Sequence, residues 1–148
     1  MKNERWMKTP VITVKPRDTA SHAREVMERH RVNQLPVVID GRLVGIVTDR
    51  DLRDAFPSVF EAANGARRRR RLPPDADPER IPVEDVMSPT VATVPAGATL
   101  AEAARLMRRE RIGAVPVVER HKVIGIITRS DVLDAFVELV EGRPAASA

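Results

Sequence analysis

The chain contains no cysteine, which excludes disulfides, thiolate metal ligands and cysteine nucleophiles in one step. Tyrosine is absent and tryptophan occurs once, so with no helix-turn-helix pattern there is little with which to read nucleic acid bases. No run approaches the roughly 18 apolar residues of a membrane span, and Met1-Lys2-Asn3-Glu4-Arg5-Trp6 is not followed by the apolar core of a secretion signal. A cytoplasmic protein is expected. There is no Ser/His/Asp order, no Walker-type glycine loop and no pair of catalytic carboxylates. His22, His30 and His121 are scattered, without partners at the spacing of a metal site. The sequence therefore predicts neither enzymatic activity nor a metal centre.

What the chain does have is a net charge of +4 across 148 residues. The excess sits in one unbroken run, Arg67 to Arg71; without it the remainder is close to neutral. The run lies within Pro57 to Asp85, which also holds Asn64-Gly65 and Pro73-Pro74-Asp75-Ala76-Asp77-Pro78. That composition reads as a linker, with one short helical turn at Ser58 to Ala63. The tail Arg143 to Ala148 has too few apolar residues to dock.

On either side of the linker the chain repeats itself. Met7 to Phe56 reappears as Met87 to Phe136 at a constant offset, without a gap, and about 19 of the roughly 50 paired positions are identical. Val11-Ile12-Thr13-Val14 meets Val91-Ala92-Thr93-Val94, Leu35-Pro36-Val37-Val38 meets Val115-Pro116-Val117-Val118, and Gly45-Ile46-Val47-Thr48 meets Gly125-Ile126-Ile127-Thr128. One repeat alone is marginal in size, so two copies packed over a shared core are expected, with a cleft suited to a ligand.

The hydrophobic pattern changes period in the same order in both copies. Val11 to Val14 signals a strand, and Thr19 to Arg31 and Thr99 to Arg111 carry apolar residues at helical spacing. Thr99 with Glu102 forms a capping box, whereas His22 stands in the corresponding place of the first copy. Two apolar runs follow, Leu35 to Ile39 and Leu43 to Val47, joined by Asp40-Gly41, a dipeptide suited to a tight hairpin. Arg120-His121 replaces it in the second copy and predicts a different, less favourable turn. A second helix closes each copy, from Asp49 to Phe56 and from Arg129 to Glu141, with Pro57 and Gly142 as stops.

The most specific feature is Gly45-Ile46-Val47-Thr48-Asp49-Arg50-Asp51, matched by Gly125-Ile126-Ile127-Thr128-Arg129-Ser130-Asp131. Each places a hydroxyl, backbone N–H groups and a carboxylate at one helix start. The N–H groups and the helix dipole favour a phosphate, and a carboxylate accepts hydrogen bonds from vicinal ribose hydroxyls. Thr-x-x-Asp is also an ordinary capping box, which needs no ligand.

Together, Met7 and Met87-Ser88-Pro89, the Pro-Val-Val blocks and the duplicated Gly-x-x-Thr-x-x-Asp segments resemble the CBS domain family, tandem modules named after cystathionine β-synthase and often called Bateman modules. The resemblance covers about residues 7 to 56 and 82 to 140 and is closest to small stand-alone bacterial pairs. It implies an α+β fold of two pseudo-symmetric β-α-β-β-α repeats packed through their sheets. The repeats would be 1–56 and 82–148, with the linker at 57–81. It further implies that AMP, ADP, ATP or S-adenosylmethionine sits as a regulatory ligand in clefts between the repeats.

Carried over by position, Asp51 and Asp131 would hold ribose hydroxyls, and Thr48 and Thr128 would contact phosphate. Adenine would lie against Thr13-Val14 and Leu35-Pro36 in one site, and against Thr93-Val94 and Val115-Pro116 in the other. Beside these, Arg50, Arg129 and Ser130 are candidate ligand contacts. Asp49 at the first helix start and Arg129 at the second predict unequal sites, the Asp131 one favouring phosphorylated ligands. The resemblance also implies a homodimer, consistent with the broad apolar face of Val132, Leu133, Phe136, Val137 and Val140. The regulated protein stays unidentified, and neither nucleic acid nor membrane is the favoured partner. The alternative from another class is a basic adaptor that binds nucleic acid or a protein through Arg67 to Arg71 with its clefts empty; a third is a purely structural dimerisation module.

Overall fold

The structure, a computed structural model, describes residues 1–56 and 76–143. The turn expected at 58–63, Pro57 as a helix stop, the arginine run 67–71 and the tail beyond residue 143 lie outside the described residues. In chain order the elements are α1 (Asn3–Trp6), α2 (Ala20–His30), β1 (Gln34–Ile39), β2 (Arg42–Thr48), α3 (Asp49–Ala55), a 3₁₀ turn (Val83–Asp85), β3 (Val94–Pro95), α4 (Leu100–Glu110), β4 (Ala114–Glu119), β5 (Lys122–Thr128) and α5 (Arg129–Glu141). The chain is α+β; the second repeat follows the order read from the sequence, and the first does so except that its leading strand is reduced to a single bridge.

Two compact units result, one of Ile12–Val91, the other of Met1–Val11 with Ala92–Ala148. These do not coincide with the repeats, because each repeat's leading segment belongs to the unit that holds the other repeat's sheet and helices. In the first unit, the Ala20 amide at the start of α2 donates to Ile81 O at 2.8 Å, and Val83 N to Asp18 O at 2.7 Å. In the second unit, the Leu100 amide at the start of α4 donates to Met1 O at 2.9 Å, and Asn3 N to Ala98 O at 3.1 Å. The duplication thus extends upstream of Met7 and Met87 in structure, although Glu4 and Glu84 are the only identity there. Val83 and Asn3 occupy equivalent places and both are fully buried. Valine satisfies such a place, while among the described residues the Oδ1 and Nδ2 of Asn3 find no hydrogen-bond partner.

Each first helix begins at a threonine whose hydroxyl accepts the third amide, Thr19 from His22 and Thr99 from Glu102. Only Glu102 returns the bond and completes the box. Both helices end at an arginine in the left-handed region, Arg31 and Arg111, and the amides of Val32 and Ile112 close back onto Met27 O and Met107 O at 3.0 Å each.

The hairpins match residue for residue. β1 and β2 pair antiparallel from Gln34 opposite Thr48 to Ile39 opposite Arg42, with an irregularity between Val37 and Val38. β4 and β5 pair from Ala114 opposite Thr128 to Glu119 opposite Lys122, with the irregularity between Val117 and Val118. Contrary to the expectation from Arg120-His121, the turns are alike: φ is 50° and 80° at Asp40 and Gly41, and 51° and 68° at Arg120 and His121. The identical register leaves two residues to reverse the chain, and strand twist selects positive φ at both. The second copy adopts this conformation with two side-chain-bearing residues that disfavour it.

The strand at Val11 to Val14 is shorter than its β-branched run suggests. In the first unit it is a single parallel bridge between Val14 and Val37; in the second it is β3, parallel to β4 at Val117 and Val118. Residues 11–13 and 91–93 make no ladder pairs, and in the first unit Pro16 stands where the ladder would continue, with no N–H to give it.

Apolar burial follows the two helices and hairpin of each repeat. The first unit's core joins Ala23, Val26 and Met27 of α2 to Leu35, Val37 and Val47 of the hairpin and to Leu52 and Phe56. The second joins Ala103 and Met107 to Val115, Val117, Ile127 and Ala135, with Trp6 and Met7 against it. Phe56 is 2% exposed, whereas its counterpart Phe136 is 62% exposed on the longer α5.

Candidate functional site

The duplicated glycines are there for backbone approach. Ile46 exchanges both backbone hydrogen bonds with Ser88, at 2.9 and 2.8 Å, and this draws Met87-Ser88 across Gly45. A Cβ on Gly45 would collide with the Met87 sulfur and come within 2.9 Å of Ser88 O. In the second unit Ile126 and Lys8 make the same exchange, at 2.9 and 3.3 Å, and a Cβ on Gly125 would lie 2.8 Å from Met7 Cγ. Thus each β-strand that leads into a carboxylate-bearing helix is flanked by the leading segment of the opposite repeat.

Both Thr-x-x-Asp segments form complete capping boxes. Asp51 N donates to Thr48 Oγ1 at 3.0 Å, and Thr48 N donates to Asp51 Oδ2 at 2.9 Å. The corresponding distances at Thr128 and Asp131 are 3.4 and 2.7 Å, and the Thr128 hydroxyl also lies 3.0 Å from Asp131 Oδ2. The next amide is spent too, since Asp49 N donates to Asn33 O at 2.8 Å and Arg129 N to Gly113 O at 3.1 Å. Of the four amides a helix start leaves over, three are thereby engaged in each repeat, with Arg50 and Ser130 supplying the fourth. Among the described residues, the bank of open N–H groups that the motif suggested is reduced to one in each repeat.

The two carboxylates are nonetheless held alike, Asp51 7% exposed and Asp131 6%. Asp51 lines a cavity of about 130 Å³ with Asp54, Ala55, Val86, Met87, Ser88 and Pro89. Asp131 has Lys8 beside it, Nζ to Oδ1 at 3.8 Å.

The remaining candidates divide sharply. Leu35, Pro36, Val115 and Pro116 are fully buried, and Val14 and Val94 are buried as well; their side chains belong to the hydrophobic cores. Thr13 and Val14 border a separate hollow of about 630 Å³, walled by Lys15, Asp18, Val38, Asp40 and Glu84 among others. Neither Thr48 nor Asp51 lines it. Thr93 is exposed. Arg129 lines a groove of about 450 Å³ between α4 and α5, with Arg108, Arg111, Met107, Val132 and Leu133.

Sequence reasoning missed four residues that shape the charge here. Arg24 and Arg53 both pair with Asp49, Arg53 at 3.0 Å, so the negative charge beside the first helix start is neutralised. Arg50, read as the residue to offset Asp49, instead has its Nε 3.8 Å from Asp54 Oδ2. Asp54 is 3% exposed and Lys8 stands at Asp131. Offset alone makes Lys8 the counterpart of Ser88, but nothing local in the sequence announces that each leader crosses to the other repeat's acid.

The family model of the CBS domain matches residues 4–58 and 83–138, and the chain belongs to this family. A CBS domain-containing protein of Dictyostelium discoideum is 34% identical over 143 residues, 95% of this chain and 94% of that protein. An inosine-5′-monophosphate dehydrogenase of Korarchaeum cryptofilum is 37% identical over 123 residues, which cover 82% of this chain and 21% of that enzyme. Among solved structures, the CBS domain pair of protein MJ0100, crystallised with 5′-methylthioadenosine and S-adenosyl-L-methionine, superposes with a TM-score of 0.74 at 25% identity, covering 92% of this chain and 95% of that one. Among the described residues no helix is long and apolar enough to cross a membrane, and no group of three or more acids and histidines is placed to hold a metal.

Proposed function

We propose that the chain is a non-catalytic regulatory module that binds an adenosine-containing ligand, AMP, ADP, ATP or S-adenosylmethionine, through Asp51 and Asp131. The observation that carries this reading is the pair of carboxylates: both are buried, both are held rigidly by a threonine cap, and Asp51 opens onto a cavity. A carboxylate fixed in this way accepts two vicinal hydroxyls without first ordering its own side chain. The near full-length likeness to a CBS pair solved with two adenosyl compounds supports the ligand class. The dehydrogenase likeness supports regulation and not catalysis, since it spans a fifth of that enzyme.

Occupancy is transmitted to a partner protein by the ligand's differential affinity for two conformations. The module works as a homodimer through α5, whose Leu133, Phe136, Val137 and Val140 fall at helical i, i+3, i+4, i+7 spacing and are exposed.

Thermal-shift screening of the chain against the four ligands tests the reading. A ligand at 100 times its dissociation constant adds about 2.7 kcal/mol of stability. The double variant Asp51→Asn with Asp131→Asn keeps an oxygen for each capping amide but removes the charge, and is expected to lose the shift while still folding. If none of the four ligands moves the melting temperature of the unaltered chain, the reading is wrong, and the basic adaptor using Arg67 to Arg71 takes its place.

A further inference from the structure

The two helices of each repeat meet differently, and the difference lies in four positions. In the first repeat Arg24 pairs with Glu28, Nε to Oε1 at 3.1 Å, and with Asp49, while Arg53 also pairs with Asp49, Nη2 to Oδ2 at 3.0 Å. This network of alternating charge ties α2 to α3, and Leu52 beside it on α3 is fully buried. At the offset of the repeat, Ala104, Arg108, Arg129 and Leu133 replace Arg24, Glu28, Asp49 and Arg53. Both carboxylates have become arginines, and both arginines have become apolar. The four positions sum to zero in the first repeat and to +2 in the second. Val132, in the place of Leu52, is only half-buried, and a groove of about 450 Å³ opens between α4 and α5. Met107, Val132 and Leu133 give it an apolar wall, and Arg108, Arg111 and Arg129 border it. The neighbouring Arg109 pairs with Glu110, whereas those three arginines have no ion pair among the described residues.

We propose that the groove between α4 and α5 docks an acidic segment of a partner protein, one that presents an apolar side chain flanked by carboxylates. The first repeat shows what satisfies this place, namely two carboxylates set among guanidinium groups. In the second repeat those carboxylates have to come from outside. Guanidinium groups match carboxylates in shape as well as charge, and the groove is within the usual volume of a binding pocket. Its apolar wall calls for a side chain to cover it. A second copy of this chain is the poorer occupant, because Glu138 and Glu141 of α5 are already paired with Arg5 and Arg143 and each copy carries a net charge of +4. The site stands apart from the nucleoside reading, since neither Asp51 nor Asp131 lines it. Leu133 is the one residue it shares with the apolar α5 stripe of Leu133, Phe136, Val137 and Val140.

Fluorescence anisotropy with the full chain and two labelled synthetic peptides tests this, one made of glutamate and leucine, the other with glutamine in place of each glutamate. The acidic peptide is expected to bind, and its glutamine analogue about tenfold more weakly. Copying the first repeat's set into the second through Ala104→Arg, Arg108→Glu, Arg129→Asp and Leu133→Arg should close the groove and abolish binding. Arg108→Glu alone should weaken binding about tenfold and carries the test if the fourfold variant does not fold. Replacing Arg67 to Arg71 by serine should leave the affinity unchanged. No binding of the acidic peptide to the unaltered chain, equal binding of both peptides, or binding that follows the arginine run and not Arg108 would overturn the inference. Decanoate, a single carboxylate on an apolar chain, reads the small-molecule alternative: if it binds at Arg108 and the peptide does not, the groove is no peptide site. Sedimentation velocity of Arg108→Glu reads the other alternative, and a shift in self-association would assign the groove to a second copy instead.

Discussion

The two repeats carry the same capping boxes, the same hairpin register and the same glycine beneath a crossing leader, yet they differ wherever a neighbour is supplied from far along the chain. Asp51 meets Ser88 and the buried Asp54; Asp131 meets Lys8, while Asp134 stays exposed. Arg24 anchors Asp49, whereas Ala104 and Arg129 occupy the corresponding positions and border a groove. Duplication preserved what each segment does to its own backbone. Divergence accumulated in residues whose role is set by what packs opposite, so one architecture now presents two different electrostatic environments.

The comparison can be broken first at the glycines. Gly45→Ala is expected to cost about 1–3 kcal/mol, the usual range for overpacking, and to cost more than Gly125→Ala. The added carbon at position 45 meets the backbone oxygen of Ser88, which cannot step aside, whereas at position 125 it meets side-chain atoms of Met7. Chemical denaturation of the two variants measures the difference, and equal losses would show that Met87 and Met7 alone set the constraint.

A somewhat smaller effect, of opposite sign, is expected where the second unit departs from the first. Asn3→Val copies Val83 into the equivalent buried place and removes two polar atoms that have no partner among the described residues. Stability should rise by about 1–2 kcal/mol, since an unsatisfied buried polar group costs about that much. A melting temperature that stays level or falls would mean that water or another group satisfies the asparagine.

The smallest effect is at the turns. Replacing Arg120-His121 by Asp-Gly, the pair already present at 40–41, should gain about 1 kcal/mol by relieving positive φ at residues that disfavour it. The reverse exchange in the first repeat should lose a similar amount. Urea titrations of both swaps sharpen the comparison, and it fails if the two changes have the same sign.

Much of this was readable in the chain itself. The capping boxes are contacts between residues three apart, so Thr48 with Asp51 and Thr128 with Asp131 could be named before any coordinates. The hairpins could be placed from the paired apolar runs and the constant offset. The strand at Val11 to Val14 is shorter than the β-branched run promises, because only Val14 reaches the sheet and Pro16 stops the ladder after it. The turn at Arg120-His121 was misread, because residue preference was allowed to outrank register, and tertiary pairing won. The proposed wall residues Leu35, Pro36, Val115 and Pro116 are fully buried, and an apolar strand residue looks the same in a sequence whether it faces a ligand or another side chain.

Local chemistry and the repeat together determined the elements, their order, their caps and the positions of the two acids, since each of these depends on neighbours within a few residues or on a fixed offset. The charge around those acids was decided only in three dimensions. Lys8 reaches Asp131, Ser88 reaches the cavity of Asp51, and Arg24 reaches Asp49 because leaders and helices meet across long sequence separations. Coulomb interactions depend on distance in space, and no local pattern encodes that distance.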